Sequence, residues 1–127
     1  MKKVKLLDDK GRIYGNNYVK CLQSYVSHLS CSSLYDLCAG KTLEIAASGS
    51  VLLTNTFAGI DRLFDTEKQC YMEYKPDGSD IVNIARKVLN DRALVKEITS
   101  NAIEYIRDNH TYVHRIKELL RILESLV

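Results

Sequence analysis

Lys41 and Glu44 are the side chains whose types and spacing best suit a small anionic ligand that also carries hydroxyl groups. They stand in Gly40-Lys41-Thr42-Leu43-Glu44, where the pattern predicts a short helix over Thr42 to Ala47. The first amides of a helix have no partner within it and sit at the positive end of its dipole. A diphosphate suits that end. Lys41 adds a mobile positive charge beside it, and Gly40 permits close backbone approach. Glu44, in the first turn, is a carboxylate able to accept hydrogen bonds from a ribose diol. The same residues also fit a plain helix start, because glutamate there suits the dipole and Gly-Lys-Thr is a common tripeptide.

Other constellations carry less. Gly40-Lys41-Thr42 imitates the end of a phosphate-binding P-loop, but that motif needs a glycine five positions earlier, and Tyr35 is there. ATPase or kinase chemistry of that type is therefore not expected. His110 and His114 lie four apart at a helix start with no third ligand nearby, so no metal is expected. Thr111 is expected to cap that helix, and Tyr112 and Arg115 to pack it against the sheet. Ser30, Ser32 and Ser33 with His28 define no triad, which geometry and not composition makes. Cys21, Cys31, Cys38 and Cys70 include no C-x-x-C pair. Reduced, mostly buried thiols are expected, with a cytoplasmic location as the default.

The elements that must position Lys41 and Glu44 follow from periodicity. Val4 to Leu7 is a candidate strand, and a short helix is expected from about Asn17 through Tyr18, Val19, Leu22 and Tyr25. Val26 to Cys31 competes with its end as a small buried strand. After the helix at Thr42, Gly49 suits the left-handed position. Val51 to Thr54 reads as a buried parallel strand. Phe57 to Phe64 reads as a second short helix with Ile60, Leu63 and Phe64 on one side, and Cys70 to Tyr74 as another strand. Pro76-Asp77-Gly78 is a turn. The last third predicts three helices, capped by Ser79, Asp91 and Thr111. The last carries Ile116, Leu119, Leu120, Leu123 and Val127, a stripe that needs a covering surface.

This rhythm predicts an α/β fold, a small parallel sheet with covering helices and a helical C-terminal third. At 127 residues the chain predicts one domain. A net charge of +2 argues for neither a nucleic-acid nor a membrane surface. No apolar run is long enough to span a bilayer, and Val4 to Leu7 is too short for a secretory signal.

Lys41-Thr42-Leu43-Glu44-Ile45-Ala46-Ala47-Ser48-Gly49, followed by Val51-Leu52-Leu53-Thr54-Asn55, resembles the donor-binding segment of group 1 glycosyltransferases. The resemblance is nearest to the spore-maturation-type (CgeB-like) subset. Leu63-Phe64 with Cys70-Tyr71-Met72-Glu73-Tyr74, and Asn109-His110-Thr111-Tyr112-Val113-His114-Arg115, resemble two further stretches of that subset. Together these cover about residues 18 to 127 in order. The resemblance implies part of the C-terminal, Rossmann-like domain of a GT-B enzyme, which holds a nucleotide sugar. By the resemblance, Glu44 would bind the donor ribose, with Gly40, Lys41 and Thr42 beside it. The family's E-x7-E pair reads here as D-x7-E, which makes Asp36 the candidate to approach the sugar. Lys41 stands where the subset often has arginine, and lysine cannot make a two-pronged phosphate contact. No D-x-D motif occurs, which fits a donor site without a metal or other cofactor.

A complete GT-B enzyme also needs an acceptor domain. The chain is therefore expected to be a fragment or a shortened gene product, inactive alone, whose partners are a nucleotide sugar and either an acceptor-domain polypeptide or a second copy of itself. The alternative is a non-catalytic interaction or oligomerisation module that keeps a remnant of the fold. A receiver-type domain is disfavoured for want of an acidic cluster.

Overall fold

A computed structural model describes residues 11–32, 35 and 38–126. The strand expected at Val4 to Leu7 and the residues Ser33, Asp36 and Val127 lie outside them. The elements run α1 (Asn16–Gln23), β1 (Ser27–Leu29), α2 (Gly40–Ala47), β2 (Val51–Thr54), β3 (Met72–Glu73), α3 (Ile81–Asn90), α4 (Arg92–Asn109) and α5 (Tyr112–Ser125). The three strands form one parallel sheet in the order β1-β2-β3. This is the expected small Rossmann-like arrangement of parallel strands and covering helices.

β2 is the centre of the molecule because its four residues are all buried and both its neighbours pair with it. Successive side chains of a strand point to opposite faces, so a strand covered on both sides reads as an unbroken apolar run. Leu52 joins Ile45 and Ala46 of α2, Phe57, Phe64, and Ala102 and Ile106 of α4 on one face. Val51 and Leu53 join Met72, Tyr74, Val88 and Ile98 on the other. α4 thus reaches both faces, which explains its length. Its start is fixed by Asp91, whose carboxylate accepts the Leu94 N–H at 2.9 Å, as the sequence predicts.

Several local expectations are corrected. Phe57 to Phe64 is not an α-helix: Gly59 is left-handed (φ 84°), so only a 3-10 turn, Ile60–Arg62, follows it. Ile60 and Phe64 are nonetheless buried. Asp80, not Ser79, is the residue flanking α3, and it caps no amide there, its carboxylate accepting from the Lys75 N–H. The cysteines form no disulfide, but only Cys70 is buried, and Cys31 and Cys38 are exposed. Tyr112 and Arg115 do not pack α5 onto the sheet: both are exposed, and no residue of α5 is buried.

Candidate functional site

The carboxyl edge of a parallel sheet is where the loops that meet ligands leave the strands. Here that edge is stitched by polar groups. Asn55, just past β2, accepts the Ser32 N–H on its Oδ1 at 3.0 Å and donates from Nδ2 to Ser32 Oγ at 2.8 Å. Tyr74 donates its hydroxyl to the Ser30 carbonyl at 2.7 Å, and the Thr56 hydroxyl bonds Glu73. Ser30 and Ser32 are buried. These bonds hold the start of the segment that leaves β1.

α2 starts without a side-chain cap; its flanking residue is Ala39, in an extended conformation. The Thr42 N–H donates to the Ala39 carbonyl at 2.9 Å. The amides of Gly40 and Lys41 precede that first bond and have no partner inside the helix. Along α2 the helical period then sorts the expected site residues. Thr42, Ile45 and Ala46 are buried, while Gly40, Lys41 and Glu44 are exposed. Lys41 and Glu44 are three apart and share the open face. The side chain of Thr42 faces the core instead, with 1% of its surface exposed. Asp36 lies outside the described residues.

Glu44 has a partner that sequence reasoning missed. Tyr18, on α1, donates its hydroxyl to Glu44 Oε2 at 2.7 Å. The phenol pKa is pushed up to about 12, chiefly by this bond, then by burial and the nearby carboxylate charge. The two residues face a groove of about 340 Å³ between α1 and α2, completed by Val19, Leu22, Gln23, Ala47 and Ser48. Gly40, Lys41 and Thr42 do not line that groove; they lie at the helix start, about one turn away. The seam between α1 and the sheet is closed from below. Ser50 Oγ lies 2.6 Å from the Leu22 carbonyl, and His28 Nε2 lies 2.8 Å from the same oxygen. His28 thus ties the end of α1.

A larger cavity of about 510 Å³ opens beside the turn at Ile60, lined among others by Asp61, Asp65, Glu67, Glu73 and Lys68. Four carboxylates against one lysine make it a poor host for a diphosphate. The Tyr71 hydroxyl on its wall is pushed above its ordinary pKa by burial, then by Glu73 and Asp61. Electrostatics therefore favour the α2 end of the molecule over the roomier cavity.

The histidines near the C-terminal helix serve its geometry. The Thr111 N–H donates to His114 Nδ1 at 3.3 Å, with the Thr111 hydroxyl 2.7 Å from the same nitrogen. This is the reach-back half of a capping box, with histidine in the place of the usual glutamate. His110 bonds Arg115, and burial, then the guanidinium charge, lowers its pKa.

Of the residues that sequence reasoning missed, Asn55 had a signal, standing directly after the buried strand. Tyr18 had none beyond its helical spacing. No helix among the described residues is long and apolar enough to cross a membrane. A family model described as glycosyl transferase-like matches residues 3–121. No curated protein and no solved structure matches the chain.

Proposed function

The chain belongs to the glycosyl transferase-like family, and on that premise we propose that it is the nucleotide-sugar-binding part of a GT-B type enzyme of the spore-maturation-type subset. The observation that carries this reading is the open face of α2. It presents Lys41 and Glu44 together, next to two amides that have no partner inside the helix, at the carboxyl edge of a parallel sheet. The diphosphate would lie against the Gly40 and Lys41 amides and the Lys41 ammonium. The ribose hydroxyls would donate to Glu44, whose carboxylate keeps acceptor capacity beside the Tyr18 bond. Thr42, anchored in the core, would hold the first turn in place. Asp36 is the candidate to approach the sugar.

Transfer needs the acceptor held in register with the donor. In this proposal that task falls to an acceptor-binding polypeptide, and these residues alone bind without turning over.

Isothermal titration with UDP, GDP and their sugars tests the reading. Binding of at least one is expected. Glu44→Ala should weaken it by about 1.5–3 kcal/mol, the range for a hydrogen bond to a charged group. A folded protein that binds none of them would leave the non-catalytic module as the surviving reading. If affinity were unchanged in Glu44→Ala, Glu44 would leave the site.

A further inference from the structure

A glutamate on an open helix face samples many rotamers, and fixing it when a ligand arrives costs affinity. Glu44 is exposed on α2, yet it does not stand free: Tyr18 donates its hydroxyl to Glu44 Oε2 at 2.7 Å. The tyrosine is held along its length. Its ring packs against the core cluster that contains Leu22 and Ile45. The helix that carries it, α1, is tied at its end, where Ser50 Oγ lies 2.6 Å from the Leu22 carbonyl and 2.7 Å from the Tyr25 carbonyl. A side chain fixed on an anchored element can place its neighbour more closely than a mobile one can.

The roles in this pair do not exchange. The phenol, whose pKa is pushed up to about 12, keeps its proton at neutral pH, so it donates and the carboxylate accepts. An ionised carboxylate has about four acceptor positions on its two oxygens. Tyr18 fills one, and the others are left for a ligand in a place that the bond fixes. Two neighbouring hydroxyls can donate together to one carboxylate only when it is correctly turned. Tyr18 and Glu44 also line the same groove between α1 and α2. We infer that Tyr18 is a positioning residue: it holds the Glu44 carboxylate for a vicinal diol, and so gives the site a preference for ribose over a sugar without those hydroxyls. The inference rests on the sugar-nucleotide reading of Glu44 above.

Tyr18→Phe tests it, because it keeps the ring and removes only the donor. UDP and GDP are titrated beside their 2′,3′-dideoxy forms, with circular dichroism to show that each variant is folded. Tyr18→Phe should weaken binding of the ribonucleotide roughly threefold to tenfold, the cost of ordering one long side chain, and leave the dideoxy form unchanged. In a Glu44→Ala chain the same substitution should add nothing for either form, since the group it positions is gone. Equal losses for the two forms, or a loss that persists without Glu44, would make Tyr18 a support of the fold alone and overturn the inference. An unchanged ribonucleotide affinity in Tyr18→Phe, where Glu44→Ala weakens it, would also overturn it and leave the donor site standing. A folded chain that binds neither nucleotide would overturn the site itself, and Tyr18 with it.

Discussion

α2 and α5 are both amphipathic helices, yet the molecule treats them oppositely. α2 is clamped: Thr42, Ile45 and Ala46 are buried against β2 and α4, and its outer face is tied to α1 through Glu44 and Tyr18. α5 buries nothing and is held at its start by the local contacts of Thr111, His114, His110 and Arg115. An apolar stripe says that a helix has a covered side. Only the packing says what covers it. A clamped helix can hold a ligand-binding carboxylate in place, and an unclamped one is free to meet another surface.

The contrast should be plainest in stability. Ile45 is fully buried, so Ile45→Ala should cost about 2–5 kcal/mol, through lost burial plus a cavity. Denaturant unfolding measures this as a lower midpoint. A loss below about 1 kcal/mol would mean that α2 is not clamped as described. On α5 the corresponding experiment is His114→Ala, which removes the acceptor of the Thr111 N–H and hydroxyl. The cost should be about 0.5–1.5 kcal/mol and confined to the helix. At dilute concentration, hydrogen exchange should speed up in α5 alone while the unfolding midpoint stays put. A midpoint that moved with it would show α5 to be coupled to the core.

The same contrast explains what was legible in the sequence. Val51 to Thr54 announced a buried strand because burial on both faces leaves an unbroken apolar run, and Asp91 announced a cap because capping is local. Gly49 sits where expected, left-handed after α2 (φ 89°). β1 was ambiguous because three residues carry no period. It is a strand only through pairing with β2, 24 residues further on. The helix expected at Phe57 fails at Gly59, whose positive φ depends on the turn it makes. At the site, sequence proximity grouped Thr42 with Glu44, although residues two apart on a helix do not face each other. Period alone could have separated them. Nothing local could reveal Tyr18, which reaches Glu44 across 26 residues.

The smallest expected effect probes the outer side of the clamp. Tyr18 is held protonated by Glu44, with its pKa raised from 10.0 to about 12 in the folded chain. The unfolded chain gives up that proton near the ordinary value. The stabilisation is therefore complete below about pH 10 and is lost as pH rises through about 12. Because Tyr18 is partly in solvent, the energy involved is small. Spectroscopy reads the titration directly: absorbance of the tyrosinate band should contain a late-ionising component that Tyr18→Phe removes. Glu44→Gln should shift that titration down towards 10, since it removes the carboxylate charge and the strong acceptor. If the component that Tyr18→Phe removes were unmoved in Glu44→Gln, its cause would lie elsewhere, and the outer face of α2 would be as loosely held as α5.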